Sequence, residues 1–232
     1  MPAFSQPLPL TVDIRPRTVR DLDLEAFVAQ EGHHSRQHAE MNAALRIPDA
    51  ALPKVRALEA ELDADYRRFT KTRSLAFNLA YAEGFEAMTA AMAIVFTGED
   101  HSKWNPELLD LFTWHLVEEL EHRTVAFDVY EHVHGRYATR LFVGVYAQYH
   151  LLRFLIRASE AMAVGDPRMQ TEFGGAKGWR ARRPRLLRLL TRKVLPRVAR
   201  SWRPGYDPRE LVMPAELEAL QRRFTEAAAS TG

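Results

Sequence analysis

The hydrophobic positions of this chain fall into long runs with helical spacing, and none of the runs alternates like a β-strand. Residues 54–71 repeat apolar positions every three or four residues, with opposite charges on the remaining faces. Residues 74–96 are nearly all apolar, so this helix should be buried on most sides. The pattern predicts helices over 18–45, 54–71, 74–96, 107–134, 137–163 and 214–228. We therefore expect an all-α protein, built as a helical bundle.

Helix-breaking residues divide these segments. Residues 1–17 are proline-rich and should be irregular, whereas Thr18 resembles a helix-capping residue. Residues 98–106 should form a loop, and Gly135 should end the helix before it. We divide the chain into a leader (1–17), a bundle (18–165) and a basic helical extension (166–232).

Composition narrows the class of protein. At 232 residues and 47% hydrophobic content, the chain can bury a substantial core. Its 32 basic and 30 acidic residues give a net charge of +2, which provides no general argument for nucleic-acid binding. The absence of cysteine excludes disulfides and thiolate metal sites, so a metal would need His and carboxylate ligands. The N-terminus has no signal-peptide pattern, and we expect a cytoplasmic protein.

The segment "WHLVEELEHR" (114–123) places polar groups in an otherwise apolar helix. His115, Glu119 and His122 are spaced i, i+4 and i+7, which puts them on one face, within a sector roughly 60° wide. Glu118 lies at the border of that face, and Glu121 should point toward solvent. A carboxylate and an imidazole three residues apart can share a metal in a helical bundle.

The same spacing occurs in "AQEGHHSRQHAEMN" (29–42), where Glu31 and His34 are three residues apart and His38 follows one turn later. Glu83 and Glu86 interrupt the apolar helix 74–96, where an uncompensated carboxylate would be costly. Either Glu-x-x-His pair alone, Glu31 with His34 or Glu119 with His122, is equally consistent with a solvated helix face. Together they favour a metal site on three helices, with iron, manganese or zinc as the metals that suit such ligands.

Three segments resemble the signature blocks of a bacterial family, the predicted metal-dependent hydrolases. They are "FVAQEGHHSRQHAEMN", "EAMTA" and "WHLVEELEHRTVAFDVY", and the resemblance covers about residues 26–165. It assigns the glutamate of the middle block to Glu86, with Glu83 as second choice. The implied fold is a ferritin-like bundle with extra C-terminal helices.

The ligand pattern also resembles that of ferritin-like di-iron N-oxygenases. That resemblance implies Glu31, His34, Glu86, His115, Glu119 and His122 as ligands of two iron ions, with manganese or zinc as alternatives. The first family helix, which carries a further glutamate, has no counterpart in the proline-rich leader. Candidates for the fourth carboxylate are Glu83, Asp21, Asp23 and Glu25.

These observations leave the reaction open. Two metal ions could activate water for hydrolysis, whereas reduced iron could activate dioxygen. A shortened, inactive bundle acting as a binding module is the third possibility. A small-molecule substrate that is apolar or aromatic is expected, with a pocket lined by Phe85, Met88, Phe112 and Phe127.

The segment 177–203 contains 11 Lys and Arg residues and no acid. Leucine and valine alternate with the arginines, a composition typical of helices that contact an anionic membrane. An outer helix packing its leucines on the bundle is the alternative. Nucleic acid is disfavoured, although Trp179 and Trp202 could stack on bases. Helix 137–163 is a poor membrane span and could instead pair two subunits in a homodimer.

Overall fold

The computed structural model describes residues 51–102 and 104–230, with backbone alone at residues 173 and 224–230. Within these ranges the chain is helical and has no strands, which confirms the all-α class. The helices, labelled in order over the described residues, are α1 Leu52–Thr72, α2 Leu75–Thr97, α3 Pro106–Val133, α4 Tyr137–Gly165, α5 Pro167–Phe173, α6 Gly175–Leu189, α7 Leu195–Val198 and α8 Ala215–Ser230. A π-helical turn, Leu190–Val194, joins α6 to α7.

Local side-chain chemistry sets the helix boundaries. Ser74 caps α2, its hydroxyl accepting the Phe77 N–H at 3.2 Å. Asn105 caps α3 in the same way, and Pro106 follows at the first helical position. Gly135, just past α3, takes a φ of +60°, a conformation that glycine adopts at little cost. The predicted helices 54–71, 74–96, 107–134, 137–163 and 214–228 are all confirmed to within two residues.

Helix α2 is the central element. It runs antiparallel to α3, since Ala80 packs near Val129 while Ala93 packs near Leu116. It runs parallel to α4, because Leu79 shares a cluster with Val143 and its later residues meet the later residues of α4. By length and composition α2 is apolar enough to cross a membrane, but 67% of its most apolar stretch is buried inside the bundle, as in the core of a soluble protein.

The remaining helices pack around α2, α3 and α4. Helix α1 packs antiparallel on α4, with Val55 against Ala161 and Phe69 against Ala147. The chain from the π-helical turn to α7 buries Val194 and Val198 in a cluster with α2 and α4. Trp202 then donates its indole N–H to Gln148 of α4 at 2.8 Å.

Part of the sequence-based prediction lies outside the described residues. The irregular leader (1–17) and the helix predicted over 18–45 belong to that part, so the missing family helix and the specific ferritin-like topology stay predictions. The division at residue 165 also stays a prediction. The extension beyond it contributes core residues, since Val194 and Val198 share a cluster with Met88.

Candidate metal centre

Helix α3 carries three of the predicted ligands. Glu119 is buried and His122 is only 1% exposed, although both are polar residues of a kind seldom fully buried. The His115 side chain is 24% exposed, and its Nε2 lies 3.7 Å from Glu119 Oε1. His115 and Glu119 are therefore neighbours on one face, with His115 at its accessible edge.

The register of α2 against α3 brings Glu86 to the same level. Ala80 and Val129 mark one end of this antiparallel pair, and Ala93 and Leu116 mark the other. Because both helices rise equally per residue, Glu86 is level with His122 and its neighbour Arg123. Glu86 is 9% exposed. A buried carboxylate of α2 thus lies at the height of the buried imidazole of α3.

Glu83 belongs to a different environment. One of its carboxylate oxygens lies 3.8 Å from Arg140 of α4, and both side chains are buried. Loss of hydration outweighs the attraction of Arg140 and raises the pKa of Glu83 from 4.5 to about 7. Arg140 also donates to the backbone carbonyls of Ser201 and Arg203, so the pair fastens the C-terminal region to the bundle.

The motif at 114–123 carries two further glutamates, of which Glu121 differs from its predicted exposure. Glu118, placed at the border of the ligand face, is buried like Glu119. Glu121, expected in solvent, is half-buried and accepts a hydrogen bond of 2.7 Å from Gln221 of α8. Helical spacing gives the angles between side chains but not the sides on which neighbouring helices pack, and α8 covers the side occupied by Glu121.

Sequence reasoning missed one polar network. Tyr81 and His150 Nδ1 share a hydrogen bond of 2.7 Å, and His150 Nε2 lies 3.1 Å from Asp65 Oδ2. The network ties α1, α2 and α4 together. His150 is therefore a structural residue. A histidine within an otherwise apolar helix was the available signal, but its partners Tyr81 and Asp65 are distant in sequence.

The four residues expected to line a substrate pocket lie in different environments. Phe85 and Met88 pack in a cluster with Leu151, whereas Phe112 packs near Phe96. Phe127 instead packs edge-on against Tyr206. Phe85, Met88 and Phe112 thus pack in or against the core clusters, and the class of substrate stays a prediction.

The donor chemistry fits a divalent metal. Glu86, Glu119 and His122 supply buried carboxylates and imidazole, the ligand types expected for iron, manganese or zinc. Within residues 51–102 and 104–230, however, no three His, Asp or Glu side chains come together as a metal-binding group. Glu31, His34 and His38 lie outside the described residues. The part contributed by α2 and α3 is therefore not a complete site by itself.

An all-helical chain with carboxylates and an imidazole buried on adjacent helices has the features of metal-binding helical bundles. The sequence profile of one family, described as predicted metal-dependent hydrolase, matches residues 13–211. The chain belongs to this family. No curated protein and no solved structure matches the chain. The likeness to N-oxygenases rests on the ligand pattern alone.

Proposed function

We propose that this protein is a metal-dependent hydrolase whose His/Glu centre lies between α2, α3 and the helix predicted over 18–45. The observation that carries the proposal is the common level of two buried groups, the Glu86 carboxylate on α2 and the His122 imidazole on α3. Carboxylate and imidazole are the ligand types that iron, manganese and zinc take in helical bundles. The family to which the chain belongs is described as metal-dependent.

The proposed ligands are Glu86, His115, Glu119 and His122 from the described helices, with Glu31 and His34 from the predicted one. Six ligands of this kind suit a centre of two metal ions, with two iron ions as the expected occupants. Glu83 is assigned to Arg140 instead, because that ion pair already occupies it. His38 is a reserve ligand, one turn after His34.

When bound, the metal supplies Lewis acidity toward an ester, amide or phosphate group and lowers the pKa of water. The chain's own residues set the surroundings. An apolar cluster lies on one side of Glu86 and His122 along the helices and excludes solvent there. It is formed by Ala90 and Ala93 of α2 with Leu116, Val117 and Leu120 of α3. His115 is the accessible member of the set, and its Nε2 lies 3.7 Å from Glu119 Oε1.

Metal content tests this proposal. Purified full-length protein, loaded with Fe²⁺, Mn²⁺ or Zn²⁺ and desalted, should retain close to two ions per chain by elemental analysis. Glu119→Gln and His122→Asn should each reduce retention at least tenfold, about 1.4 kcal/mol or more. Glu121→Gln is the matched control, since it changes the same residue type on the same helix at a site bonded to Gln221.

Retention by both ligand variants at the wild-type level, with circular dichroism showing intact helices, would overturn the site. Absence of metal in the wild-type protein after loading with all three ions would favour the inactive binding module. Hydrolysis would be screened with the Zn²⁺ and Mn²⁺ forms on aryl esters, anilides and phosphate esters. Glu119→Gln should abolish whichever activity appears, and Glu121→Gln should preserve it.

The His-x-x-x-Glu-x-x-His spacing of His115, Glu119 and His122 favours one alternative, a di-iron oxygenase. The two chemistries respond differently to metal exchange. A hydrolase should be active with Zn²⁺ and insensitive to oxygen. An oxygenase should be active with iron only, and its ferrous form should change its near-ultraviolet and visible absorbance when mixed with oxygen.

We further propose a cytoplasmic location.

A further inference from the structure

The basic segment 177–203 presents its charge to solvent. All 11 of its Lys and Arg residues are exposed, and one of them, Lys193, pairs with Glu99 at 2.5 Å. Its buried residues, Val194 and Val198, face α2 and α4. The arrangement is an amphipathic strip whose apolar side packs on the bundle and whose cationic side faces outward.

Large apolar side chains accompany these charges. Leu187 and Leu195 lie within the strip, and both are exposed. On α4, Phe142 is 74% exposed and Tyr149 is 62% exposed, with Val145 between them also exposed. At about 100° per residue, these three residues of α4 fall within a sector roughly 60° wide. They form an exposed apolar stripe along the outer side of α4.

The stripe and the basic segment are adjacent. Gln148 of α4 bonds to Trp202, and Tyr137 donates its hydroxyl to the Trp202 carbonyl at 2.8 Å. Leu151 of α4 packs with Val194 and Val198. The segment from Leu190 to Trp202 therefore runs beside α4. The stripe lies about 100° around α4 from the residues that contact this segment.

We propose that this composite face, formed by the stripe Phe142, Val145 and Tyr149 with the basic segment, docks on an anionic membrane surface. Eleven cations attract a negatively charged surface, at about 1 kcal/mol for each cation that reaches it. Exposed Phe, Tyr and Leu side chains suit the boundary between headgroups and acyl chains. The proposal is independent of the metal centre.

Charge and burial disfavour the other occupants. A symmetric dimer through this face would bring two strips of like charge together. Base stacking on nucleic acid would need exposed aromatic faces beside the arginines, and Trp202 is half-buried with its indole N–H bonded to Gln148. Binding to an anionic lipid surface brings no like charges together and needs no exposed aromatic face for stacking.

Vesicle flotation tests the proposal with the full-length protein. Binding to phosphatidylcholine vesicles would be compared with binding to vesicles containing about one third phosphatidylserine, in low and in high salt. The wild-type protein should bind the anionic vesicles. Arg188→Glu combined with Arg192→Glu should weaken that binding by about 30-fold or more, because two cationic contacts are lost. Phe142→Ser combined with Tyr149→Ser should remove the binding that persists in high salt.

The control variant combines Arg56→Glu on α1 with Arg222→Glu on α8, which gives the same change in net charge away from the composite face. It should float like the wild-type protein. Equal losses in the control and the Arg188/Arg192 variant would overturn the proposal, as would equal binding to neutral and anionic vesicles. If light scattering shows that the wild-type protein is a dimer and the Phe142/Tyr149 variant is a monomer, the face would be assigned to a second copy of the chain. Oligonucleotide binding tighter than vesicle binding and lost in the Arg188/Arg192 variant would assign it to nucleic acid.

Discussion

The Glu83 carboxylate and the Arg140 guanidinium lie 3.8 Å apart, with side chains only 3% and 2% exposed. This buried pair joins α2 to α4, and Arg140 extends it to the carbonyls of Ser201 and Arg203. Within the described part of the chain, Glu83 Oε1 and Arg140 Nε have no hydrogen-bond partner. Each partner thus has one polar atom that is neither hydrated nor hydrogen-bonded. The net contribution of the pair to the stability of the fold therefore depends on whether Glu83 is protonated.

Stability should fall as pH rises through the titration of Glu83. Its pKa is 4.5 when unfolded and about 7 when folded, so the native state holds the proton more tightly. This contribution is fully present below pH 4.5 and is lost as pH rises to about 7. At about 1.4 kcal/mol per pKa unit, it amounts to about 3 kcal/mol. Urea unfolding of metal-free protein at several pH values would measure it.

Glu83→Gln should remove this part of the pH dependence, since the amide does not titrate. The comparison is between the slopes of unfolding free energy against pH for the two proteins, because other carboxylates contribute equally to both. Identical slopes would show that Glu83 has the same pKa in the folded and unfolded states.

Removing Arg140 should be more damaging at high pH than at low pH. Arg140→Met leaves the Glu83 carboxylate buried without its cation, a loss of about 3–5 kcal/mol where Glu83 is charged. At pH 5 Glu83 is protonated in the folded state, so the loss should be smaller. Thermal unfolding at pH 5 and pH 8 would measure both values.

The double variant Glu83→Gln with Arg140→Met should recover part of the stability lost at pH 8. It removes the buried charge but not the loss of bonds to Ser201 and Arg203. Trypsin should therefore still cleave it faster than the wild-type protein at Arg200, which precedes the Ser201 carbonyl that Arg140 holds. A double variant no more stable than the single one at pH 8 would exclude charge burial as the cause.

Gly84 and Gly144 mark the crossing of α2 and α4. A Cβ atom on Gly84 would overlap the Gly144 backbone and lie 2.8 Å from its carbonyl oxygen. A Cβ on Gly144 would meet Gly84 Cα at 3.5 Å, an ordinary contact. Gly84→Ala should therefore destabilise the fold by about 1–3 kcal/mol through overpacking.

Gly144→Ala is the matched substitution, in a helix interior at the same crossing. It should leave stability unchanged or raise it by up to about 1 kcal/mol, because alanine favours the helix. Urea unfolding of both variants would measure the difference. Equal effects of the two substitutions would indicate that helix propensity, and not the crossing, determines the outcome.

The helices were predictable because their signals are local. Ser74, Asn105 and Gly135 act within one turn of their own helix, and the apolar run 74–96 is long enough to identify a core helix. The π-helical turn at Leu190–Val194 was not predicted, because the spacing of apolar residues does not distinguish such a turn from the α-helix around it.

The candidate site was predictable only in part. Spacing along one helix gives the angle between Glu119 and His122, but it does not fix which side of α3 the core occupies. Glu118, at the border of the predicted ligand face, is consequently buried, whereas His115, on that face, is partly exposed. The ion pair of Glu83 and Arg140 was also unpredictable, because it depends on the packing of two helices 57 positions apart in sequence.

The hydrogen bond between Tyr81 and His150 should couple α2 to α4 energetically. Its length is 2.7 Å, and both residues are buried, so either single truncation leaves a polar group without its partner. Tyr81→Phe should cost about 1–2 kcal/mol. Tyr149→Phe, which removes a hydroxyl from an exposed tyrosine of α4, should change stability by less than about 0.5 kcal/mol.

A double-mutant cycle isolates this bond from the packing of the two rings. Tyr81→Phe, His150→Leu and their combination would be unfolded with urea at one fixed pH. The combined loss should be about 1 kcal/mol smaller than the two single losses together, because the second substitution finds its partner already absent. Strictly additive losses would mean that the two groups contribute through packing alone. In that case the aromatic cluster around Phe69, not the hydrogen bond, would hold α1, α2 and α4 together.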